Sequence, residues 1–174
     1  SGINYILEDK EIKRLKIICK VGNHSRTTDK VYTDNEALLS YEWAIYSHLK
    51  RYFEKEKRVE VILENSYLTY VKIYEYMCRA SHGHAIKFAG GIGGLTIPLM
   101  KWLYRVNEQI KADYDFMGHF HTRMALPNLM INGSLCGFNG YSVRKGFRAD
   151  RPVQSFGLID KRRGLTMTAP VFLE

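Results

Sequence analysis

Tyr114-Asp115-Phe116-Met117-Gly118-His119-Phe120-His121 is the stretch on which the fold reading turns. Aromatic and apolar residues alternate with polar ones, which suits a pleated, half-buried strand. Gly118 then breaks the run and opens a loop. If the backbone stays extended through Phe120, His119 and His121 project to one side and reach one site together. Two similar junctions lie upstream. Gly22-Asn23-His24 follows an apolar run at Ile12–Val21, and His82-Gly83-His84 follows an aromatic, β-branched run at Tyr67–Arg79.

The rest of the chain fills in around these junctions. Asp34-Asn35-Glu36 opens an amphipathic segment, Ala37–Phe53, at helical spacing. Arg58–Glu64 alternates as a strand, and Tyr67–Arg79 predicts one or two more. Leu95–Ile110 reads as a second helix, with Pro98 tolerated in its first turn. Leu129–Asn132 begins another strand. Phe156–Asp160 and Leu165–Leu173 flank Lys161-Arg162-Arg163-Gly164 as a terminal hairpin. Helices and strands alternate early and strands dominate late, so a mixed α/β fold is expected, as one domain over 1–174.

The 174 residues, 45% hydrophobic and 25% charged, have a normal globular balance. No run of about 18 apolar residues exists, so no membrane span or membrane partner is expected. Ser1-Gly2-Ile3-Asn4 has neither an initiator Met nor an apolar signal core. It reads as a processed or engineered end with residues missing upstream. Three cysteines, widely spaced and without a CxxC pair, argue against a disulfide framework or a thiolate zinc site. Buried thiols in a reducing, cytoplasmic setting are expected.

Five of the six histidines fall in the three glycine-containing clusters. Imidazole is a common ligand for transition metals and titrates near neutral pH. Each cluster stands where a strand becomes a loop, the usual place for a site on a sheet-based protein. Three clusters of this form together predict a shared site. His48, inside the first long helix, is expected at the surface or as a capping residue.

Taken in order, Gly22-Asn23-His24, His82-Gly83, Gly118-His119-Phe120-His121 and Asn132-Gly133-Ser134-Leu135 resemble the closing half of the calcineurin-like metallophosphoesterase signature. The resemblance covers most of the chain. It implies the C-terminal portion of a four-layer α-β-β-α sandwich with a two-metal site at one edge. It further implies that Asn23, His82 and His119 are ligands of the second metal and His121 of the first. His24 resembles the histidine that contacts phosphate and helps protonate the leaving oxygen. The implied cofactor is a divalent transition metal (Mn, Zn, Fe or Ni), two ions in the complete enzyme, which polarise the phosphoryl group and generate hydroxide.

Two departures stand out. The family's Asp-x-His and Gly-Asp-x-x-Asp motifs have no counterpart, since the acidic residues before Gly22 are Glu8, Asp9 and Glu11. Two dications about 3.5–4 Å apart need carboxylate charge between them. A full site is therefore not expected from one copy of this chain. Where the family often has Asp or Glu after Gly-Asn-His, Ser25 and Arg26 follow. Arg26 is either a phosphate contact or a solvated loop residue.

The net charge of +8 and the pI of about 9.4 suit a polyanionic partner. Arg144, Lys145, Arg148, Arg151, Lys161, Arg162 and Arg163 crowd into the last third, near Phe138, Tyr141 and Phe147. They are either a nucleic-acid-binding patch, with Arg144 and Lys145 as substrate contacts, or a solvated hairpin face. Gly90–Gly94 reads as a flexible loop or a lid. The expected function is metal-dependent phosphodiester hydrolysis on nucleic acid, of the phage or bacterial nuclease-like branch, with the isolated chain weak or inactive. The alternative is a non-catalytic binding or assembly module. Strand residues Leu15, Ile17, Ile18, Val59, Val61 and Leu63 are expected to be exposed by the missing segment. That predicts a homo-oligomer or tight association with the segment.

Overall fold

A two-stranded parallel sheet starts the fold, because Leu15–Cys19 (β1) and Val59–Leu63 (β2) are apolar runs joined by a helical crossover. The register pairs Leu15 with Val59 and Cys19 with Leu63. The crossover helix, Tyr41–Tyr52 (α2), begins at Ser40, whose extended backbone and side-chain oxygen cap the Glu42 N–H. Glu42 in its first turn and Lys50 and Arg51 in its last complement the helix dipole. A short helix, Gly2–Glu8 (α1), precedes β1. Leu7, Cys19, Phe53 and Val61 form the core here, with Ile3, Leu15, Ile17, Tyr46, Leu49, Val59 and Leu63 packed on it.

That packing corrects one expectation. Leu15, Ile17, Ile18, Val59 and Leu63 are half-buried and Val61 is buried, rather than exposed. For all of these but Ile18 the cause is α1, which no periodic signal announced, together with Tyr46 and Leu49 of α2 and Phe53 just after it.

The computed structural model describes residues 2–32, 34–87, 94–146 and 149–173. By its contacts the chain divides into two compact units, Ser1–Tyr67 and Leu68–Glu174. The second unit holds Thr69–Ile73 (β3), Tyr76–Ser81 (β4), Thr96–Asn107 (α3), Tyr114–Met117 (β5), Met124–Leu126 (β6), Leu129–Ile131 (β7), Gly140–Lys145 (α4), Val153–Asp160 (β8) and Gly164–Phe172 (β9). The expectation of a mixed α/β fold holds. Strands β3–β7 form one sheet in the order β3-β4-β5-β7-β6, with β4, β5 and β7 parallel and β3 and β6 antiparallel to their neighbours. Strands β8 and β9 pair as the expected hairpin.

Ile86, Leu99, Leu103, Met117, Leu129 and Ile131 make the second core, where α3 meets the sheet. Leu99, Leu129 and Ile131 are fully buried, each contributing about 1.5–3 kcal/mol. Asn132-Gly133 docks the hairpin. Asn132 Oδ1 accepts the Ser155 N–H, and a Cβ on Gly133 would lie 2.8 Å from the Val153 carbonyl.

A buried ion pair pins the two central strands. Arg79 on β4 and Asp115 on β5 are register partners, 1% and 2% exposed. Arg79 Nε and Nη2 donate to the two Asp115 oxygens at 2.7 and 3.0 Å, and Nη1 donates to the Ile110 carbonyl. The guanidinium also lies 5.9 Å from the Tyr70 ring centre and 5.7 Å from that of Trp102. Burial works against the Arg79 charge, and its hydrogen bonds to Asp115 offset that. Burial also pushes the neighbouring Cys78 thiol up to about 11, with Asp113 and Asp115 adding to the effect.

Candidate functional site

Because β4 and β5 are parallel and Ser81 pairs with Met117, the chain leaves both strands at the same edge of the sheet. His82 and Gly118 are the next residues out, and the Gly118 N–H donates to the His82 carbonyl at 3.2 Å. Gly83 adopts φ +106, and a Cβ there would meet the Phe120 ring at 3.2 Å, the Gly118 carbonyl at 3.3 Å and His119 Cβ at 3.3 Å. Only a residue without a side chain lets the two loops approach so closely.

Three imidazoles meet at this edge. The His82 ring centre is 5.2 Å from that of His119 and 5.4 Å from that of His84, and His84 is 6.2 Å from His119. The family resemblance assigns no role to His84, although its spacing from His82 equals that of His121 from His119. His121 instead has its ring 5.8 Å from Tyr141. The extended-backbone reason for pairing His119 with His121 is corrected. β5 ends at Met117, and His119 and His121 sit at φ 70 and 59, the left-handed region. The Phe120 N–H folds back to the Gly118 carbonyl at 2.8 Å, which bends the loop out of strand geometry.

Asn23 and His24 lie in the first unit, on the loop after β1. That loop is tied to the start of α2. Glu42 Oε2 accepts the Gly22 N–H at 2.5 Å and the Ser25 hydroxyl at 2.7 Å, and the Tyr41 N–H donates to the Ser25 carbonyl. Arg26 turns back on its own loop, donating to the Asn23 carbonyl and, at 3.3 Å, to the Asp29 carbonyl. His48 is exposed on α2.

Arg144 is exposed on α4, a helix that carries no periodic signal, although Asn139 caps its start and Gly146 ends it at φ 67. Arg151, Lys161, Arg162 and Arg163 are exposed as well, the last three at the β8–β9 turn, where Asp160 accepts the Arg162 and Arg163 N–H groups. The Lys145 side chain, Phe147, Arg148 and Gly90–Gly93 lie outside the described residues.

No protein-family model matches the chain, and no curated protein matches it in sequence. Among solved structures it is similar to an archaeal phosphodiesterase, at 15% identity and TM-score 0.48, covering 90% of this chain and 68% of that one. It is similar to Vps29 from Entamoeba histolytica complexed with Zn²⁺, at 14% identity and TM-score 0.40, covering 68% of this chain and 66% of that one. It is also similar to a predicted phosphoesterase from Streptococcus pneumoniae, at 10% identity and TM-score 0.37, covering 91% and 97%. At these identities and TM-scores the likeness assigns no site to this chain.

A metallophosphoesterase centre holds two cations bridged by carboxylate. The donor type here suits a borderline transition metal, since His82, His84 and His119 are imidazoles lying together. The arrangement does not complete such a centre: among the described residues no group of three or more His, Cys, Asp or Glu is placed to hold a metal ion. Of the expected ligands, His82 and His119 lie together, and His121 has its ring beside Tyr141. Among the described residues no helix is long and apolar enough to cross a membrane.

Proposed function

We propose that this chain supplies the histidine-lined part of a metal-dependent phosphoesterase acting on nucleic acid, completed by groups outside the described residues. The observation that carries the reading is the meeting of His82, His84 and His119 at the C-terminal edge of parallel strands β4 and β5. Ligand sites on open α/β sheets favour that edge. Imidazole nitrogens there can donate or accept a hydrogen bond at a phosphoryl oxygen. The family resemblance implies His24 as the group that protonates the leaving oxygen; Arg144 and Lys145 are proposed substrate contacts, whereas Arg26 is committed to its own loop.

The isolated chain with Mn²⁺ is expected to turn over bis(p-nitrophenyl) phosphate weakly or not at all. A segment carrying Asp-x-His and Gly-Asp-x-x-Asp, supplied in trans, is expected to restore turnover, which His82→Ala or His119→Ala then removes. Robust turnover by the isolated chain, lost in His24→Ala, overturns the incompleteness of the site. A non-catalytic binding or assembly module is the second reading. The sequence carries neither Asp-x-His nor Gly-Asp-x-x-Asp ahead of Gly22, which favours it, and it predicts no turnover even with the segment added.

A further inference from the structure

The loop Gly22–Arg26 lacks the carboxylate that the family pattern places directly after Gly-Asn-His, yet a carboxylate reaches the loop through space. Glu42, in the first turn of α2, accepts the Gly22 N–H at 2.5 Å and the Ser25 hydroxyl at 2.7 Å on the same oxygen, Oε2. Ser25 Oγ also lies 3.3 Å from the Gly22 carbonyl, farther than the 2.7 Å to Glu42 Oε2, so the carboxylate is the closer acceptor for its one proton. Ser25 Oγ lies 2.7 Å from Ser40 Oγ, and Ser40 Oγ accepts the Glu42 N–H at 3.2 Å. Each hydroxyl has one proton. If Ser25 donates to Glu42, then Ser40 donates to Ser25, and the ring closes with every donor used: Glu42 N–H to Ser40, Ser40 O–H to Ser25, Ser25 O–H to the Glu42 carboxylate. Hydrogen bonds to an ionised acceptor are the strong ones, and a closed chain reinforces its members. The two backbone bonds beside it, Tyr41 N–H to Ser25 carbonyl at 3.0 Å and Thr27 N–H to Leu39 carbonyl at 2.8 Å, bind the loop to the helix start in the same sense.

We infer that Glu42 is a positioning residue for Asn23 and His24, clamping both ends of the turn that presents them, Gly22 before and Ser25 after. The clamp explains why Ser25 can stand where the family often has an acid: its hydroxyl is the donor that brings Glu42 in. A carboxylate bound to the helix start also gains from the helix dipole, so the clamp is set before any ligand arrives.

Amide NMR on the full chain tests it, with Glu42→Ala, Glu42→Gln and Ser25→Ala. In the unmodified chain the Gly22 amide proton is expected far downfield and slow to exchange. Glu42→Ala is expected to move it upfield and to speed exchange at Gly22, Asn23 and His24 by about tenfold or more, the worth of a charged hydrogen bond. Amides in the α2 interior should change little. Glu42→Gln, which keeps a neutral acceptor, is expected to rescue part of the shift. Ser25→Ala, which changes no residue of α2 but removes the hydroxyl partner of Ser40 and Glu42, is expected to loosen Asn23 and His24 while keeping Gly22 bound; it stands in if Glu42→Ala fails to fold. An unchanged Gly22 shift and unchanged protection in both Glu42→Ala and Glu42→Gln overturn the clamp. The kinetic arm alone rests on the phosphoesterase reading: with turnover restored in trans, Glu42→Gln is expected to lower kcat severalfold with KM within about twofold. A kcat equal to that of the unmodified chain overturns the positioning role. Absence of any turnover counts against the phosphoesterase reading only, because the amide readouts decide the clamp.

Discussion

Gly83 is the residue on which the histidine edge depends most directly. It occupies φ +106, and any side chain would press on Phe120, His119 and the Gly118 carbonyl within 3.2–3.3 Å. Gly83→Ala is expected to cost about 1–3 kcal/mol through backbone strain and crowding. Gly140→Ala makes a fair comparison, because nothing lies within 4 Å of an added Cβ there; it should change stability by less than about 0.5 kcal/mol. Urea unfolding of both variants measures the difference, and equal losses would remove the close-approach account. His119 and His121 carry the same lesson in another form. Histidine tolerates the left-handed region better than most non-glycine residues, so a Gly-His-Phe-His run can bend where a β-branched run would stay extended.

At the scale of elements, the Arg79–Asp115 pair fixes how β4 and β5 slide past each other. A buried ion pair is poor evidence for stability, since desolvation offsets its attraction, and its best-attested use is to set register. Here register decides which residues meet at the sheet edge, because a one-residue slip would part His82 from Gly118 and turn one strand's faces over against the other's. Arg79→Met is expected to destabilise by about 3–5 kcal/mol, because it leaves the Asp115 charge buried. Arg79→Met with Asp115→Leu is expected to recover most of that loss. Guanidinium chloride unfolding checks both values. A single variant as mild as a surface change, or a double variant no better than the single, would mean that the pair does not act as a unit.

For the whole molecule, charge is the property that no single element holds. The net charge is +8, and Arg144, Arg151, Lys161, Arg162 and Arg163 are all exposed in the last third of the chain. Binding of single-stranded DNA is expected to fall steeply with salt, because each phosphate that a cation neutralises releases counterions. Reversing Arg144, Lys145, Lys161 and Arg162 to Glu is expected to weaken binding. It should also flatten the slope of log K against log salt by about 0.7 for each phosphate no longer neutralised. Fluorescence anisotropy between about 50 and 200 mM salt measures it. An unaltered slope in the fourfold variant would leave these residues as a solvated face.

The sequence by itself determined the element types, because apolar periodicity and turn residues are local. The strands β1, β2, β3, β4, β5 and β7, the helices α2 and α3 and the β8–β9 hairpin all fall inside their predicted segments or overlap them closely. It also placed Gly22, Gly118 and His82 just past strand ends. The elements it missed are α1, β6 and α4, of 7, 3 and 6 residues. Pieces so short are marginal alone and form through tertiary contact. Only the tertiary structure decided which histidines meet. Parallel pairing of β4 with β5 brings His82 and His84 to His119, and the left-handed turn sends His121 to Tyr141. Only it brought Glu42 to Gly22 and Ser25, which lie 20 and 17 residues away. The physical reason is the same in both cases. Spacing along the chain fixes which way neighbouring side chains point, whereas contacts across strands and helices depend on register and crossover, which no local pattern encodes.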